Sequence, residues 1–486
     1  MASKRNIRIA IIGAGASGLM ALIQLRACGY RDVVIFEKAA ALGGTWRDNR
    51  YPGLNCDVPS HAYRFSFAPN AEWSQTCASG PDILAYLHTV ARDHEVARFI
   101  RYNAEVISAR YDDGLWYLAT ATQAEMPFEA VITATGVLHH PVYPQIVGLE
   151  TFAGAAFHSA RWPDDIAIGG QRIGVIGTGS TATQIVGATV DTAKSVTLFQ
   201  RTAQWILPLA NPEISEDERA QFRADPELLQ GQYDRLNHEA TTKFAAAIVG
   251  ANPHTLATLG RLCREHLETV VDPVLREQLT PDYPVGCKRL VMSDRFYAAI
   301  QRPNAELVTA AIDGIEPEGV RTVGGVLHRL DILVLATGFN THQFFRPMRV
   351  HGLAGADLDQ VWAEENVSYL GVTTPALPNW FMIGGPHSPI GNFSWLLTAE
   401  TQFGYIKQLL DLMRQGAKEI AAKPAAAAAF RAAVRDQVPK TVWAQGCNSW
   451  YIDKNGNVAS WPWTYDKFKA DMAAPVLADF SVRAWH

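Results

Sequence analysis

The chain has only six cysteines in 486 residues (Cys28, Cys56, Cys77, Cys263, Cys287 and Cys447), and no two form a C-x-x-C pair. That scarcity disfavours a zinc site, a redox dithiol or a disulfide scaffold, and it points to a reducing compartment. No metal site is expected. Charge is sparse too. Charged residues make up 19%, and 43 basic side chains against 48 acidic leave a net charge of −5. This balance offers no footprint for nucleic acid or an anionic membrane surface. No uninterrupted apolar run approaches the roughly 20 residues that cross a bilayer. With 48% hydrophobic residues, usage is globular and wholesale disorder is excluded. The length suggests about two to four domains.

The N-terminus imitates a secretory signal, with Lys4, Arg5 and Arg8 ahead of the apolar stretch 9–20. Gly13, Gly15 and Gly18 interrupt that stretch, so a soluble cytoplasmic enzyme is the expectation. The glycines have a better explanation. The β-branched run at 8–12 predicts a buried parallel strand, which leads into Gly13-Ala14-Gly15-Ala16-Ser17-Gly18, a helical run at 19–28 and a second strand at 32–36 closed by Glu37. In this order the first glycine permits a tight turn, the second admits a pyrophosphate, and the third lets helix and strand pack closely. The helix N-terminus supplies partial positive charge for the phosphates. Glu37 is placed to accept hydrogen bonds from a ribose diol, which selects FAD or NAD over NADP.

The pattern recurs at 172–201. A strand at 173–176 enters Gly177-Thr178-Gly179-Ser180-Thr181-Ala182, and a helix and a strand at 195–200 follow. Ala182 is an allowed substitute for the third glycine. In place of an acid, the second strand ends in Arg201 and Thr202, and a guanidinium there matches a 2′-phosphate. The expected ligand is NADPH. Two apolar segments ending in Ala-Thr-Gly, at 131–136 and 333–338, read as the closing strands of the two domains.

Between the glycine loops lie Phe152, Gly154, His158, Trp162 and Pro163, in the spacing F-x-G-x-x-x-H-x-x-x-W-P. This segment resembles the signature of type I Baeyer–Villiger monooxygenases; heteroatom-oxidising flavin monooxygenases share the Phe, Gly and His but not usually the Trp-Pro. Segments at 43–46, 51–57, 286–289 and 447–451 also look like family segments in family order. The resemblance implies an α/β fold of two Rossmann-like dinucleotide-binding domains, for FAD and NADP, with a helical insertion in the NADP domain. It implies an NADPH- and O2-dependent oxygenase that inserts oxygen beside a ketone carbonyl through a C4a-peroxyflavin, giving an ester or lactone. The alternatives are N- or S-oxygenation, or a weakly coupled NADPH oxidase.

By the same resemblance Arg289 is the fixed cation of the reaction, oriented by Asp57, and Lys288 reaches the 2′-phosphate beside Arg201. FAD contacts are expected at Gly13, Gly15, Ala16, Ser17, Gly18, Glu37, Lys38, Gly44, Thr45, Trp46, Asp57, Tyr63 and Asn392, with Trp46 and Tyr63 packing over the flavin or in the core. NADP contacts are expected at Gly177, Thr178, Gly179, Ser180, Thr181, Gln184, Arg201, Thr202 and Lys288. His158 is read as holding a linker and coupling the domains, not as a general base. Trp450 and the Trp461-Pro462-Trp463 cluster line a pocket or lid, or pack in the core. The expected FAD domain is 1–140 with 375–486, and the NADP domain is 150–206 with 284–350. The insertion, 207–283, is broken into short helices by Pro226, Pro253 and Pro273. The alanine-rich stretch 420–434 is read as a helix, with Pro424 marking its start. A flavin disulfide reductase is disfavoured, because it needs a cysteine pair near the flavin. Beyond cofactors, the expected partners are a ketone and O2; oligomeric state is not readable.

Overall fold

A computed structural model describes residues 5–447 and 449–485; Lys4 of the basic N-terminus and Asn448 of the 447–451 segment lie outside them. The apolar, β-branched runs form two five-stranded sheets in which every pairing is parallel. In the first, the order across the sheet is Trp380–Met382, Ala130–Thr133, Ile9–Ile12, Val33–Phe36 and Ile100–Arg101. In the second it is Ala305–Val308, Ser195–Phe199, Arg172–Ile176, Ile332–Leu335 and Ala155–His158. The strands that carry the glycine loops are central in both. Their side chains are almost wholly buried on both faces, as a parallel sheet covered by helices requires.

Each Ala-Thr-Gly segment is a neighbour of the strand that enters a glycine loop: Ile12 pairs with Thr133, and Ile176 with Leu335. Both loops therefore open at the carboxyl ends of parallel strands, in the crevice where such sheets bind ligands. The α/β class and its two Rossmann-like sheets are thus observed. A smaller sheet joins Arg349–His351 to Val106–Asp112, Leu115–Thr120 and Met126–Phe128, so the chain has left the second sheet before residue 349.

Between strands Ile206–Leu207 and Val291–Met292 the chain is helical. Pro226, Pro253 and Pro273 each open a helix: Pro226–Glu239, Pro253–Leu267 and Pro273–Gln278. Proline suits a first turn, where its missing N–H has no intrahelical partner to lose. The insertion docks on the first half of the chain. Arg64, fully buried, donates to Gln230 Oε1 at 3.0 Å and lies 4.3 Å from the centre of the Tyr233 ring.

The alanine-rich stretch is helical from Pro424, as read, and needs correction only ahead of it. Ala417–Ala422 is a strand paired with Phe480–Ala484, and the helix runs only from Pro424 to Gln437. Proline forces the residue before it into extended geometry, so the helix has no route back through Lys423. Among the described residues no helix is long and apolar enough to cross a membrane.

Candidate active site between two glycine loops

One cavity of about 1540 Å³ touches both glycine loops. The first loop turns at Gly13 (φ +107°), where a Cβ would stand 2.7 Å from the Ala134 carbonyl oxygen. The second turns at Gly177 (φ +123°), where it would stand 2.2 Å from the Ala336 oxygen. No side chain fits at either position. Past each turn a helix begins, Ala16–Ala27 and Ser180–Thr189, and in both the N-cap is a glycine with no side-chain cap. Space is open at both starts: a Cβ on Gly179 would meet nothing within 4 Å and one on Gly15 only Gly44 at 3.7 Å. Uncapped helix starts beside Cβ-free cradles fit the pyrophosphates of two dinucleotides.

Glu37, buried at the end of the second strand, takes the Ala14 N–H at 2.8 Å and the Arg47 guanidinium at 3.1 Å. It therefore braces the first loop as well as lining the cavity. Trp46 Nε1 donates to the Tyr63 hydroxyl at 3.3 Å, with the rings edge-on at 5.6 Å. Of the residues expected at FAD, Gly13, Gly15, Ala16, Ser17, Glu37, Lys38, Gly44, Thr45, Trp46, Asp57 and Tyr63 line the cavity. Gly18 packs on the Gly13 carbonyl instead. Asn392 is buried behind the wall and donates to the Trp461 carbonyl at 3.1 Å, leaving Gly391 and Phe393 to face the cavity.

All nine residues expected at NADP line the same cavity: Gly177, Thr178, Gly179, Ser180, Thr181, Gln184, Arg201, Thr202 and Lys288. Burial lowers the Lys288 ammonium below its ordinary range, and repulsion from Arg201 adds to this while Asp282 opposes it. Two cations that destabilise one another in a cleft make a receptor for a dianion. Gln184 has a second task. It accepts from the Tyr51 hydroxyl at 3.0 Å and donates to the Asn55 carbonyl at 3.0 Å, which ties the second helix to the segment that carries Asp57.

Arg289 donates to Asp57 Oδ2 at 2.5 Å, and both are partly open to the cavity. Attraction to Asp57 holds the guanidinium ionised beyond its already high ordinary range. On the other side its Nη1 points toward the Gly391 carbonyl at 3.4 Å. The arrangement is a permanent cation held by a carboxylate, in the wall of the cavity that both loops line.

The signature residues lie outside the cavity lining. His158 is fully buried: its Nδ1 accepts from Ala160 N–H at 3.1 Å, so Nε2 carries the proton and donates to the Gly338 carbonyl at 3.0 Å. Burial lowers its basicity. Its ring sits between Tyr143 of the linker and Phe339. Phe152 and Trp162 are core residues, with Trp162 edge-on to Phe157 at 5.1 Å. Trp461 and Trp463 pack on one another, while Trp450 and Ser449 line the cavity.

The cysteine expectation fails at one place: Cys287 and Cys447 form a disulfide, with Cα atoms 6.1 Å apart. The pair is 160 positions apart, so no local spacing announces it. Trp395, which donates to Ser17 Oγ at 2.9 Å inside the cavity, also had no sequence signal.

Residues 6–212 match the family model of flavin-binding monooxygenase-like proteins. An uncharacterized monooxygenase of Mycobacterium tuberculosis is 47% identical over 98% of this chain and 96% of its own length. A Baeyer–Villiger monooxygenase of Streptomyces coelicolor is 36% identical over 98% of this chain and 93% of its own. The crystal structure of cyclohexanone monooxygenase from Rhodococcus sp. Phi1 bound to NADP+ superposes with a TM-score of 0.87 at 29% identity, covering 99% of this chain and all of that one. Two glycine cradles, a carboxylate-held arginine between them and full-length kinship place this chain in the Baeyer–Villiger group of the flavin-binding monooxygenases.

Proposed function

We propose that this protein binds FAD and NADPH and uses O2 to convert a ketone into an ester or lactone, with water and NADP+ as the other products. Bound FAD, reduced by NADPH, supplies the electrons that activate O2. The observation that carries the reading is the Arg289–Asp57 pair at the cavity wall. Oxygen insertion beside a carbonyl passes through negative charge on oxygen, and a fixed cation in a cleft stabilises that charge without rearranging. Because a guanidinium stays protonated, Arg289 stabilises an anion without neutralising it. Asp57 supplies orientation.

In this reading the first loop, Glu37, Lys38, Gly44, Thr45, Trp46 and Tyr63 hold FAD, while the second loop, Thr202 and the Arg201–Lys288 cations hold NADPH. His158, with both ring nitrogens engaged by the backbone, positions the linker and transfers no proton. The FAD-binding domain comprises 1–140 and 375–486 and the NADP-binding domain 150–206 and 284–350, with 207–283 as the helical insertion. The substrate enters where the three meet.

The test is a panel of ketones with purified holoenzyme and NADPH. A product heavier by one oxygen, identified as an ester, is expected. NADPH oxidation that no ketone stimulates, or oxygenation confined to amines and sulfides, would overturn the reading.

A further inference from the structure

Arg289 is held from two sides, and only one of them is Asp57. On the other side, Gly391 (φ +80°) leaves a gap into which three groups converge. The point a Cβ would occupy is 2.9 Å from Arg289 Nη1, 2.8 Å from Tyr451 Oη and 3.2 Å from Trp450 Cη2. Tyr451 is buried, stacked on Trp450 at 4.2 Å and against Trp443 at 5.0 Å. Behind this wall is a small apolar cluster (Ile248, Val249, Val442, Trp443, Tyr451 and Val458) separate from the large cores of the two sheets. Among the described residues the Tyr451 carbonyl accepts from Ala459 N–H at 2.8 Å, Ile452 N–H donates to the Ser449 carbonyl at 3.0 Å, and Thr341 Oγ1 reaches the Trp450 carbonyl at 3.5 Å.

The covalent tie lies at this point. Cys287 stands two residues before Arg289, and Cys447 four before Tyr451. The Cys287–Cys447 bond therefore closes a ring through Arg289, the Gly391 gap and the Trp450–Tyr451 wall. Both residues are buried, whereas Cys28 is an exposed free thiol and Cys56, Cys77 and Cys263 are buried free thiols.

We propose that Cys287 and Cys447 are positioning residues for Arg289, acting as a peroxide-responsive thiol–disulfide latch that fixes the Trp450–Tyr451 wall against the guanidinium when closed. Closing is a two-electron oxidation of two thiols by hydrogen peroxide. One thiolate attacks a peroxide oxygen, breaking O–O and forming S–OH with release of water after protonation. The second thiolate then displaces that hydroxyl as S–S forms, and a second water leaves. Opening requires a dithiol reductant. Hydrogen peroxide is also what an NADPH- and O2-consuming oxygenase releases when its turnover fails, so a poorly held site would generate the oxidant that tightens it. This logic rests on the functional reading for the role of Arg289 and for the source of the peroxide.

The experiment treats intact holoenzyme with hydrogen peroxide or with dithiothreitol, then alkylates it under denaturing conditions. After peroxide Cys287 and Cys447 should escape labelling, with peptide mapping joining one to the other, and after reduction both should label. Hydrogen exchange at residues 449–452 should rise on reduction, a readout that needs neither ketone nor NADPH. Ester formed per NADPH consumed should fall roughly threefold or more on reduction while KM for NADPH holds, since a small misplacement of a charge-stabilising group acts on the chemical step. Cys287→Ser with Cys447→Ser should match the reduced protein and ignore peroxide, whereas Cys28→Ser should respond as the parent does. Reduced parent protein gives the same comparison should the double variant fail to fold. Cys287 and Cys447 both labelled after peroxide, or equal exchange and equal coupling in both states, would overturn the latch. If labelling and exchange respond but no ketone is oxygenated, the functional reading fails and the latch stands.

Discussion

The guanidinium of Arg289 donates to Asp57 Oδ2 at 2.5 Å although 232 positions separate the two residues in the chain. The arginine enters from the segment before strand Val291–Met292 and the carboxylate from the loop that Gln184 ties to the second sheet. The pair thus spans both halves of the molecule. Removing a preorganised charge-stabilising donor typically costs 10²–10³-fold in turnover. Arg289→Ala should lose ester formation by about that factor while NADPH still reduces the flavin, as seen by bleaching without oxygen. Asp57→Ala should lose less, because the cation remains but swings free. Ester formation by Arg289→Ala near the parent rate would remove Arg289 from the chemistry.

Gly391 offers a sharper steric test. Its backbone is left-handed, and a methyl group there would collide with Arg289 Nη1 and Tyr451 Oη. Alanine at positive φ also costs about 1 kcal/mol in backbone strain. Gly391→Ala should therefore retain its fold and NADPH affinity but lose ester formation at least tenfold. Product analysis beside a melting curve separates the two effects.

The Arg201–Lys288 pair predicts cofactor choice and its pH dependence. Hydrogen bonds to a charged group contribute about 1.5–3 kcal/mol each. Arg201→Ala or Lys288→Ala should raise KM for NADPH about 10- to 100-fold and leave KM for NADH nearly unchanged. Burial and Arg201 lower the Lys288 ammonium below the ordinary 10.5, so in the free enzyme it sheds its proton at lower pH than a solvated lysine. A bound phosphate favours the ammonium. NADPH binding should therefore take up a proton at alkaline pH, and KM for NADPH should climb there while KM for NADH does not. Equal pH profiles for the two cofactors would contradict the clamp.

What the sequence made legible follows from the range of the interactions involved. Glycine loops, the strands before them and the terminal acid or arginine lie within about 30 contiguous residues, the length of a βαβ unit, so their physics is local. Prolines at helix starts are local too, which is why Pro226, Pro253 and Pro273 mark their helices. Of the stretch 420–434, only the residues ahead of Pro424 depart from the helix reading: alanine favours helix there, while pairing with Phe480–Ala484 decides for strand. Asn392 was placed on the right loop, but side-chain direction is set by a carbonyl 69 positions away. The Cys287–Cys447 bond, Trp395 on Ser17 and Gln184 on Tyr51 are all tertiary accidents of folding, invisible to spacing.

Acid should release the helical insertion before it unfolds the sheets. His61 is buried where helix Glu216–Ala224 docks, its ring 4.5 Å from that of Phe222 and both ring nitrogens without partners among the described residues. Burial, reinforced by Arg64 and opposed by Glu218, pushes its pKa down to about 4. Above its ordinary 6.5 the ring is neutral in both folded and unfolded chains, and nothing is lost. Between 6.5 and 4 the unfolded chain takes a proton that the folded one refuses, so stability falls with pH by up to about 1.4 kcal/mol per unit. His387, buried and also lowered to about 4, adds the same sign in the same window. His61→Phe leaves a ring of similar size against Phe222 and removes the titration. It should flatten the decline measured by urea unfolding between pH 7 and 4.5, and it should slow acid-induced proteolysis within 216–239. A variant with the same decline as the parent would show that the insertion is held by something other than a neutral imidazole.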